Sequence, residues 1–224
     1  MLQLLVCSDV HTYTDNIRLA LEKTDRTDAI LIAGDLEAEE AEVLKAAGDV
    51  PCYCVCGNND YYLNTEYPEE LLIDISSASA CSSPSIQSVT SVSYTTVPAR
   101  YRSLPSFLQK SLFSGLAASI SSQKRPPEIS HRILMTHGKE YDVPDTRLLA
   151  LRAAQWDADL VIYGHTHRFA DTTENRGKCR LINPGCLVGD PRASVRVFAN
   201  YEICSYSLLR IGLEGEISVQ HLYL

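Results

Sequence analysis

The sequence contains no CxxC pair, although it has eight cysteines. Three of them, Cys52, Cys54 and Cys56, alternate along the chain and would share one face of a strand. A thiolate metal site is conceivable there, but small buried thiols in a reducing compartment are the favoured interpretation. We therefore expect a cytoplasmic protein without disulfide bonds.

No apolar run in the sequence approaches the length of a membrane helix. The first residues lack a basic region and reach Asp9 too early for a signal peptide. The net charge is −8 and the pI is about 5.2, which argues against non-specific binding of nucleic acid or of an anionic membrane. A small phosphate substrate held by a metal stays compatible with that charge.

Acidic side chains are absent from residues 75–127, between Asp74 and Glu128. This serine-rich stretch carries five basic residues in an otherwise acidic chain. We interpret residues 76–130 as an insertion into a single domain that spans residues 1–224. Apolar residues between Leu104 and Leu116 predict one helix within it. The insertion is either a solvated surface excursion or, alternatively, a lid or an oligomer contact.

Outside the insertion, short apolar runs alternate with helical patterns. The strand-like runs are LQLLVCSD, AILIAGD, PCYCVCGNND, HRILMTHG and LVIYGHTH. Helices are predicted around Ile17–Thr24, over EAEEAEVLKAA and over PDTRLLALRAAQW, with Pro144 in the first turn of the last one. The run CRLINPG predicts another strand, and CSYSLLRIG with EISVQHLYL predicts a hairpin. The alternation predicts an α/β fold.

Polar residues with metal-binding side chains follow five of these apolar runs. The residues are Asp9 and His11, Asp35, Asn58, His137, and His165 with His167. Each fragment alone could be a capping turn, a tight turn or a loop histidine. Ligands in α/β folds bind at the carboxyl ends of strands, and these residues occupy that position after five separate strands. We therefore predict one shared site, and we assign the remaining histidines, His131 and His221, to structure or surface.

The side chains of this set offer oxygen and nitrogen ligands and no thiolate. Such a mixture suits Mn²⁺, Fe²⁺, Co²⁺ or Zn²⁺ and suits Ca²⁺ poorly. Seven ligands are too many for one transition metal, whereas a bridging carboxylate would serve two. Pairs of ions roughly 3.5–4 Å apart are the usual machinery for phosphate ester hydrolysis.

The motif order D-x-H, G-D, G-N-x-D, T-H-G, G-H-T-H, N-P-G resembles the calcineurin-like metallophosphoesterases, and within them the compact YfcE-like phosphodiesterase branch. The resemblance covers roughly residues 1–75 and 131–224. It implies an α/β fold of four layers, an αββα sandwich of two mixed sheets flanked by helices. It also implies two divalent ions, with Mn²⁺ favoured and Fe²⁺, Co²⁺, Zn²⁺ and Ni²⁺ as alternatives.

The resemblance further implies a role for each ligand. One metal would be held by Asp9, His11 and His167. The other would be held by Asn58, His137 and His165. Asp35 would bridge the two ions, and a bridging hydroxide would attack phosphorus in line.

Two positions depart from the family pattern. Asn59 stands where many members have histidine, and an amide can hydrogen-bond a phosphate oxygen but cannot act as a general acid. Asp60 is expected to orient Asn59 or a ligand. Lys139 follows T-H-G where this branch often has histidine, and it either contacts substrate phosphate or is solvated. The YfcE-like branch commonly lacks histidine at the position that Asn59 occupies here, so activity is still expected.

The leading hypothesis is a phosphoric diester hydrolase that acts on a small phosphodiester. A scaffold is the alternative, because the retromer subunit of this fold is thought to act mainly by binding protein partners. The intact ligand set favours the enzyme. The sequence leaves open whether the protein forms a homo-oligomer.

Overall fold

The computed structural model describes residues 1–62, 67–76, 91–96, 129–192, 197–198, 201–212 and 214–224. Its helices are α1 (Asp15–Glu22), α2 (Glu40–Ala47) and α3 (Arg147–Gln155). The strands of the amino-terminal half are β1 (Leu2–Cys7), β2 (Ala29–Ile32), β3 (Cys52–Cys54), β4 (Glu70–Ser76) and β5 (Ser91–Thr96). The later strands are β6 (Ile129–Thr136), β7 (Leu160–Ile162), β8 (Phe169–Glu174), β9 (Cys179–Pro184), β10 (Val197–Phe198), β11 (Tyr201–Glu202), β12 (Ser205–Ile211) and β13 (Ile217–Tyr223).

The strands form two mixed sheets and a small two-stranded ribbon of β10 and β11. The five-stranded sheet has the order β13-β12-β1-β2-β3, and the six-stranded sheet has the order β5-β4-β6-β7-β9-β8. Strands β1, β2 and β3 run parallel, as do β6, β7 and β9. Each sheet is completed by antiparallel strands, among them the predicted hairpin of β12 and β13.

Alternation of side chains along the strands produces three buried apolar clusters. Leu4 and Val6 of β1 pack with Ile133 and Ile162 of the other sheet, so this cluster lies between the sheets. The opposite face of the five-stranded sheet packs against α1 and α2, and that of the six-stranded sheet packs against α3. The molecule is therefore the expected αββα sandwich.

The parallel strands place the predicted site residues together. In both sheets, the loops that carry these residues leave the carboxyl ends of parallel strands. Hydrogen bonds join neighbouring loops, from Asp9 N to Gly34 O at 3.0 Å and from Gly164 N to His137 O at 3.0 Å. The site is thus built at one edge of the sandwich, where loops from both sheets meet.

Several local predictions need correction. Pro144 does not lie in the first turn of α3, because the helix begins at Arg147 and residues 142–144 form a separate turn before it. Strands β4 and β8 were not predicted. Part of the proposed insertion, β5, pairs antiparallel with β4 and forms the edge of the six-stranded sheet. The predicted helix between Leu104 and Leu116 lies outside the described residues.

The described cysteines are all free, and all but the half-buried Cys52 are buried. Burial raises the pKa of Cys7 and Cys179, which is about 12 for Cys179. These thiols behave as small apolar side chains, as predicted. Among the described residues, no helix has both the length and the apolar character needed to cross a membrane.

Candidate metal centre

Five of the seven predicted ligands have left-handed backbone conformations, which non-glycine residues rarely adopt. The φ angles are 52° for Asp9, 46° for His11, 52° for Asp35, 69° for His165 and 54° for His167. Such strain persists only where the surrounding structure holds it, and it clusters at functional sites. The ligand loops are therefore shaped for the direction of their side chains.

One compact group of donor atoms consists of Asp9, His11 and His167. The two Nε2 atoms lie 3.2 Å apart, and His167 Nε2 lies 3.0 Å from Asp9 Oδ1. His11 Nδ1 lies 2.8 Å from Oε1 of Glu37 and must donate to it. A neutral His11 therefore presents the lone pair of Nε2 to the centre of this group.

The second compact group consists of Asp9, Asp35 and His137. His137 Nδ1 donates to the carbonyl oxygen of Ala33 at 2.8 Å. The other ring nitrogen, Nε2, lies 3.4 Å from Asp35 Oδ2 and 3.2 Å from Asn58 Oδ1. Asn58 is thereby added to the group. His165 adjoins it, with a ring centroid 5.2 Å from that of His137, but its nitrogens lie outside both compact groups.

The two groups share Asp9, and Asp35 lies between their histidines. Oδ2 of Asp35 is 3.4 Å from His137 Nε2 and 4.0 Å from His11 Nε2. Oδ1 of Asp9 is completely buried and accepts no hydrogen bond within the described part of the chain. Lone pairs from carboxylates, an amide oxygen and imidazoles thus converge in a buried space, an arrangement that a cation stabilises. The donor set fits two adjacent divalent ions.

A family model matches nearly all of the chain up to the last two strands. The model for the calcineurin-like phosphoesterase superfamily domain matches residues 2–205. The chain belongs to this superfamily. A comparison with curated proteins found none that matches this chain.

Solved structures of this superfamily's fold resemble the chain over nearly its full length. A predicted phosphoesterase from Streptococcus pneumoniae is 18% identical, with a TM-score of 0.53, and the match covers 99% of this chain and 97% of the other. A novel archaeal phosphodiesterase is 17% identical, with a TM-score of 0.51, covering 99% and 100%. Vps29 from Entamoeba histolytica in complex with Zn²⁺ is 17% identical, with a TM-score of 0.52, covering 99% and 98%. These likenesses confirm the αββα fold.

Asn59 holds the carboxylate of Asp35 in this phosphoesterase domain. Its backbone N donates to Asp35 Oδ1 at 2.9 Å, and its side-chain Nδ2 donates to Oδ2 at 2.8 Å. One N–H of the amide is therefore already occupied. The residue that replaces the common histidine fixes a central carboxylate.

Asp60 joins two ligand loops through backbone amides. Its Oδ2 accepts from Gly57 N at 2.7 Å, and its Oδ1 accepts from Glu37 N at 2.8 Å. It was expected to orient Asn59 or a ligand, but its described side-chain bonds reach neither. Asp60 instead fixes Glu37, which in turn orients His11. Sequence reasoning missed Glu37; the available signal was a carboxylate two residues after Asp35.

Two glycines permit close approach of these loops. A Cβ at Gly57 would lie 2.1 Å from Asp35 Oδ1, and a Cβ at Gly164 would lie 1.8 Å from Ser8 Oγ. Ser8 Oγ in turn lies 2.6 Å from Asp9 Oδ2. Any larger residue at either glycine would displace a carboxylate of the centre.

The metal-free centre holds positive charge between its carboxylates. Burial disfavours the imidazolium of His137, but its hydrogen bond with Asp35 and the charges of both aspartates outweigh burial and raise the pKa to about 9. Burial likewise opposes ionisation of Asp35, yet the bond with His137 lowers the pKa to about 2. Burial and the charge of His137 lower the pKa of His165. A proton on His137 thus occupies the position that suits a metal ion.

Proposed function

We propose that this superfamily member is a metal-dependent phosphodiesterase with two divalent ions at the centre. The observation that carries the proposal is the convergence of lone pairs from six of the predicted ligands, with the seventh, His165, adjoining them. A protein that used this fold only as a scaffold would not need these converging acceptors, because those of the buried Asp9, Asp35 and His137 destabilise the fold unless a cation binds.

We assign the ligands by position. Asp9, His11 and His167 would hold one ion, and Asn58, His137 and His165 would hold the other. Asp35 would serve both ions, and the shared position of Asp9 allows it to contribute to both as well. Nitrogen and oxygen donors without thiolate favour Mn²⁺, with Fe²⁺, Co²⁺, Zn²⁺ and Ni²⁺ as alternatives.

Bound ions of this kind lower the pKa of water and neutralise charge on a phosphoryl group. The chain itself contributes orientation. Glu37 and the carbonyl of Ala33 fix the ring orientations of His11 and His137, and Asn59 fixes the Asp35 carboxylate. Because Asn59 cannot donate a proton as an acid would, no side chain at that position protonates the leaving group. We therefore expect the best turnover with esters whose leaving groups are stable anions.

A diester is the favoured substrate because two divalent ions beside two aspartates and the attacking hydroxide would leave a small positive charge, which suits a monoanion. A protein-binding scaffold is the competing function. Substituting alanine at both Asn58 and His137 separates the two, since it should abolish hydrolysis and leave partner binding intact.

The test is hydrolysis of bis(p-nitrophenyl) phosphate by chelator-stripped protein, with and without added Mn²⁺. p-Nitrophenyl phosphate is measured in parallel, and His131→Gln serves as the control for a histidine outside the centre. We expect Mn²⁺ to restore diester cleavage in excess of monoester cleavage in the wild type and in the control. Metal-loaded protein that cleaves neither ester would contradict the proposal.

A further inference from the structure

Two basic residues directly follow two of the histidine-bearing motifs. Lys139 lies two residues after His137 in T-H-G-K, and Arg168 follows His167 in G-H-T-H-R. The loops that carry them are in contact, because Gly164 N donates to His137 O at 3.0 Å. Both basic residues therefore lie on adjoining loops of the same centre.

The guanidinium of Arg168 has no partner among the residues that the structure describes. Among the arginines that the structure describes, only Arg168 and Arg176 make no side-chain hydrogen bond or ion pair. The other described arginines all contact a carboxylate, an amide or a carbonyl: Arg18, Arg26, Arg132, Arg147, Arg152, Arg180, Arg192 and Arg210. Arg168 is exposed, and so is Lys139, which likewise has no described partner although the exposed Glu140 follows it.

Lys139 stands on an anchored segment. It begins a short 3-10 helix, Lys139–Tyr141, and Tyr141 packs in the buried cluster beneath α3. The Tyr141 hydroxyl donates to Glu70, which also accepts from Arg152 at 2.7 Å.

Arg168 lies at the junction between a ligand loop and β8, at a bend directly after His167. Phe169, the first residue of the strand, stacks on His221 of the other sheet, and Ala170 packs against the cluster that contains Tyr141. The start of β8 and the Lys139 segment therefore adjoin the same cluster.

We propose that Lys139 and Arg168 form a second anion subsite that binds a phosphate group other than the one being cleaved. This inference rests on the proposed function and specifies its substrate class: small phosphodiesters that carry an additional phosphate monoester. The guanidinium fork and the ammonium group are the side chains that bind phosphate most often. The two positive charges of Lys139 and Arg168 exceed the single negative charge of a diester, whereas they match the charge of a phosphate monoester dianion.

Matched ligands that differ by one phosphate test the subsite. Binding of thymidine 3′,5′-bisphosphate and of thymidine 5′-monophosphate is measured by calorimetry in Mn²⁺. Wild type is compared with the double variant Lys139→Met/Arg168→Gln and with the control Lys178→Met/Arg176→Gln, which removes two exposed cations beyond the far end of β8. In parallel, hydrolysis of thymidine 5′-(p-nitrophenyl phosphate) is measured with and without a 3′-phosphate.

We expect the wild type and the control to bind the bisphosphate about tenfold more tightly than the monophosphate, and the double variant to lose most of that preference. Equal binding of the two ligands by the wild type would overturn the subsite, as would an unchanged preference in the double variant. A preference for the bisphosphate without cleavage of either diester would support the subsite while contradicting the proposed hydrolase. Cleavage of both diesters at equal kcat/KM, with no binding preference, would support the proposed hydrolase and contradict the subsite.

Discussion

The Nε2 atoms of His11 and His167 lie 3.2 Å apart, although the two residues are separated by 156 positions in the chain. Glu37 accepts a hydrogen bond from the opposite nitrogen of His11 at 2.8 Å. Neutral imidazole then directs a lone pair at its partner histidine. A cation bound between the two rings and Asp9 would stabilise these facing lone pairs. Glu37 therefore controls how well His11 can bind metal.

Replacing Glu37 should weaken metal binding without unfolding the protein. We expect Glu37→Ala to lower the affinity for Mn²⁺ about tenfold, because partners that orient a ligating histidine typically contribute that much. Glu37→Gln should fall between wild type and Glu37→Ala, since its amide oxygen can still accept from Nδ1. Calorimetric titration of chelator-stripped protein with Mn²⁺ measures this effect. Glu42→Ala, on the exposed side of α2, is the control, and an affinity equal to wild type in Glu37→Ala would contradict the role.

Alanine at Gly57 should disrupt the centre through a steric clash alone. Its Cβ would lie 2.1 Å from Asp35 Oδ1, and Gly57 does not have a positive φ. Gly48 provides the opposite case, with a φ of 62° and no atom near its Cβ. We expect Gly48→Ala to cost about 1 kcal/mol in urea unfolding and to keep full Mn²⁺ affinity. Gly57→Ala should cost more and lose most Mn²⁺ binding; equal effects of the two substitutions would refute the steric explanation.

Stability of the metal-free protein should depend on pH through His137. Its pKa is raised from 6.5 to about 9 in the folded protein. The stabilisation is therefore fully present below pH 6.5 and is lost as pH rises through about 9. Urea unfolding in the presence of chelator should show this loss in wild type. His137→Gln should lack it, and an identical pH profile in the two proteins would exclude His137 as the cause.

The same proton must leave when metal binds, because a ligating imidazole is deprotonated. Binding of Mn²⁺ at pH 7 should therefore release protons, and the affinity should rise with pH until about 9. Calorimetry in two buffers of different ionisation enthalpy measures the number released. The control His131→Gln should release as many protons as wild type. If wild type releases no protons on binding Mn²⁺, the assignment of the raised pKa to His137 is wrong.

The buried ion pair between Arg152 and Glu70 should be important for stability. Arg152 Nη2 donates to Glu70 Oε2 at 2.7 Å, and both residues are buried. Removing one partner leaves an uncompensated charge, so Arg152→Met should destabilise the fold by about 3 kcal/mol in urea unfolding. Arg147→Met is the control, since both Arg147 and its partner Asp145 are exposed and water screens the pair, so its loss should have a much smaller effect. Equal effects would contradict the burial argument.

Much of the fold could be predicted from periodicity and motif order. Strands β2 and β7 are fully apolar and β1 and β6 contain shorter apolar runs, and the polar residues after them indicated one site because parallel strands end at one edge. Strand β8 was missed because its sequence FADTTE is polar and exposed at a sheet edge. The two-sheet arrangement came from the family resemblance, because pairing partners are set by contacts distant in sequence.

The site was predictable to the level of ligands but not to the residues that hold them. Asp9, His11 and His167 carry recognisable spacing, whereas the bonds from Asp60 to Glu37 N and from Glu37 to His11 depend on loop conformation. Asn59 was expected either to contact substrate phosphate or to support a ligand, and its amide donates to the ligand Asp35. These loops have left-handed backbone angles at several ligands and at Glu37. Local propensity does not predict a run of such angles at aspartate, histidine and glutamate.

The most direct test of the account is the number of Mn²⁺ ions bound per chain, measured by equilibrium dialysis of chelator-stripped protein followed by elemental analysis. We predict two ions for wild type. The double variant Asn58→Ala/His137→Ala should keep one, because the group of Asp9, His11 and His167 is intact. Wild-type protein that binds neither Mn²⁺ nor any other divalent transition metal would contradict the central claim of a metal centre.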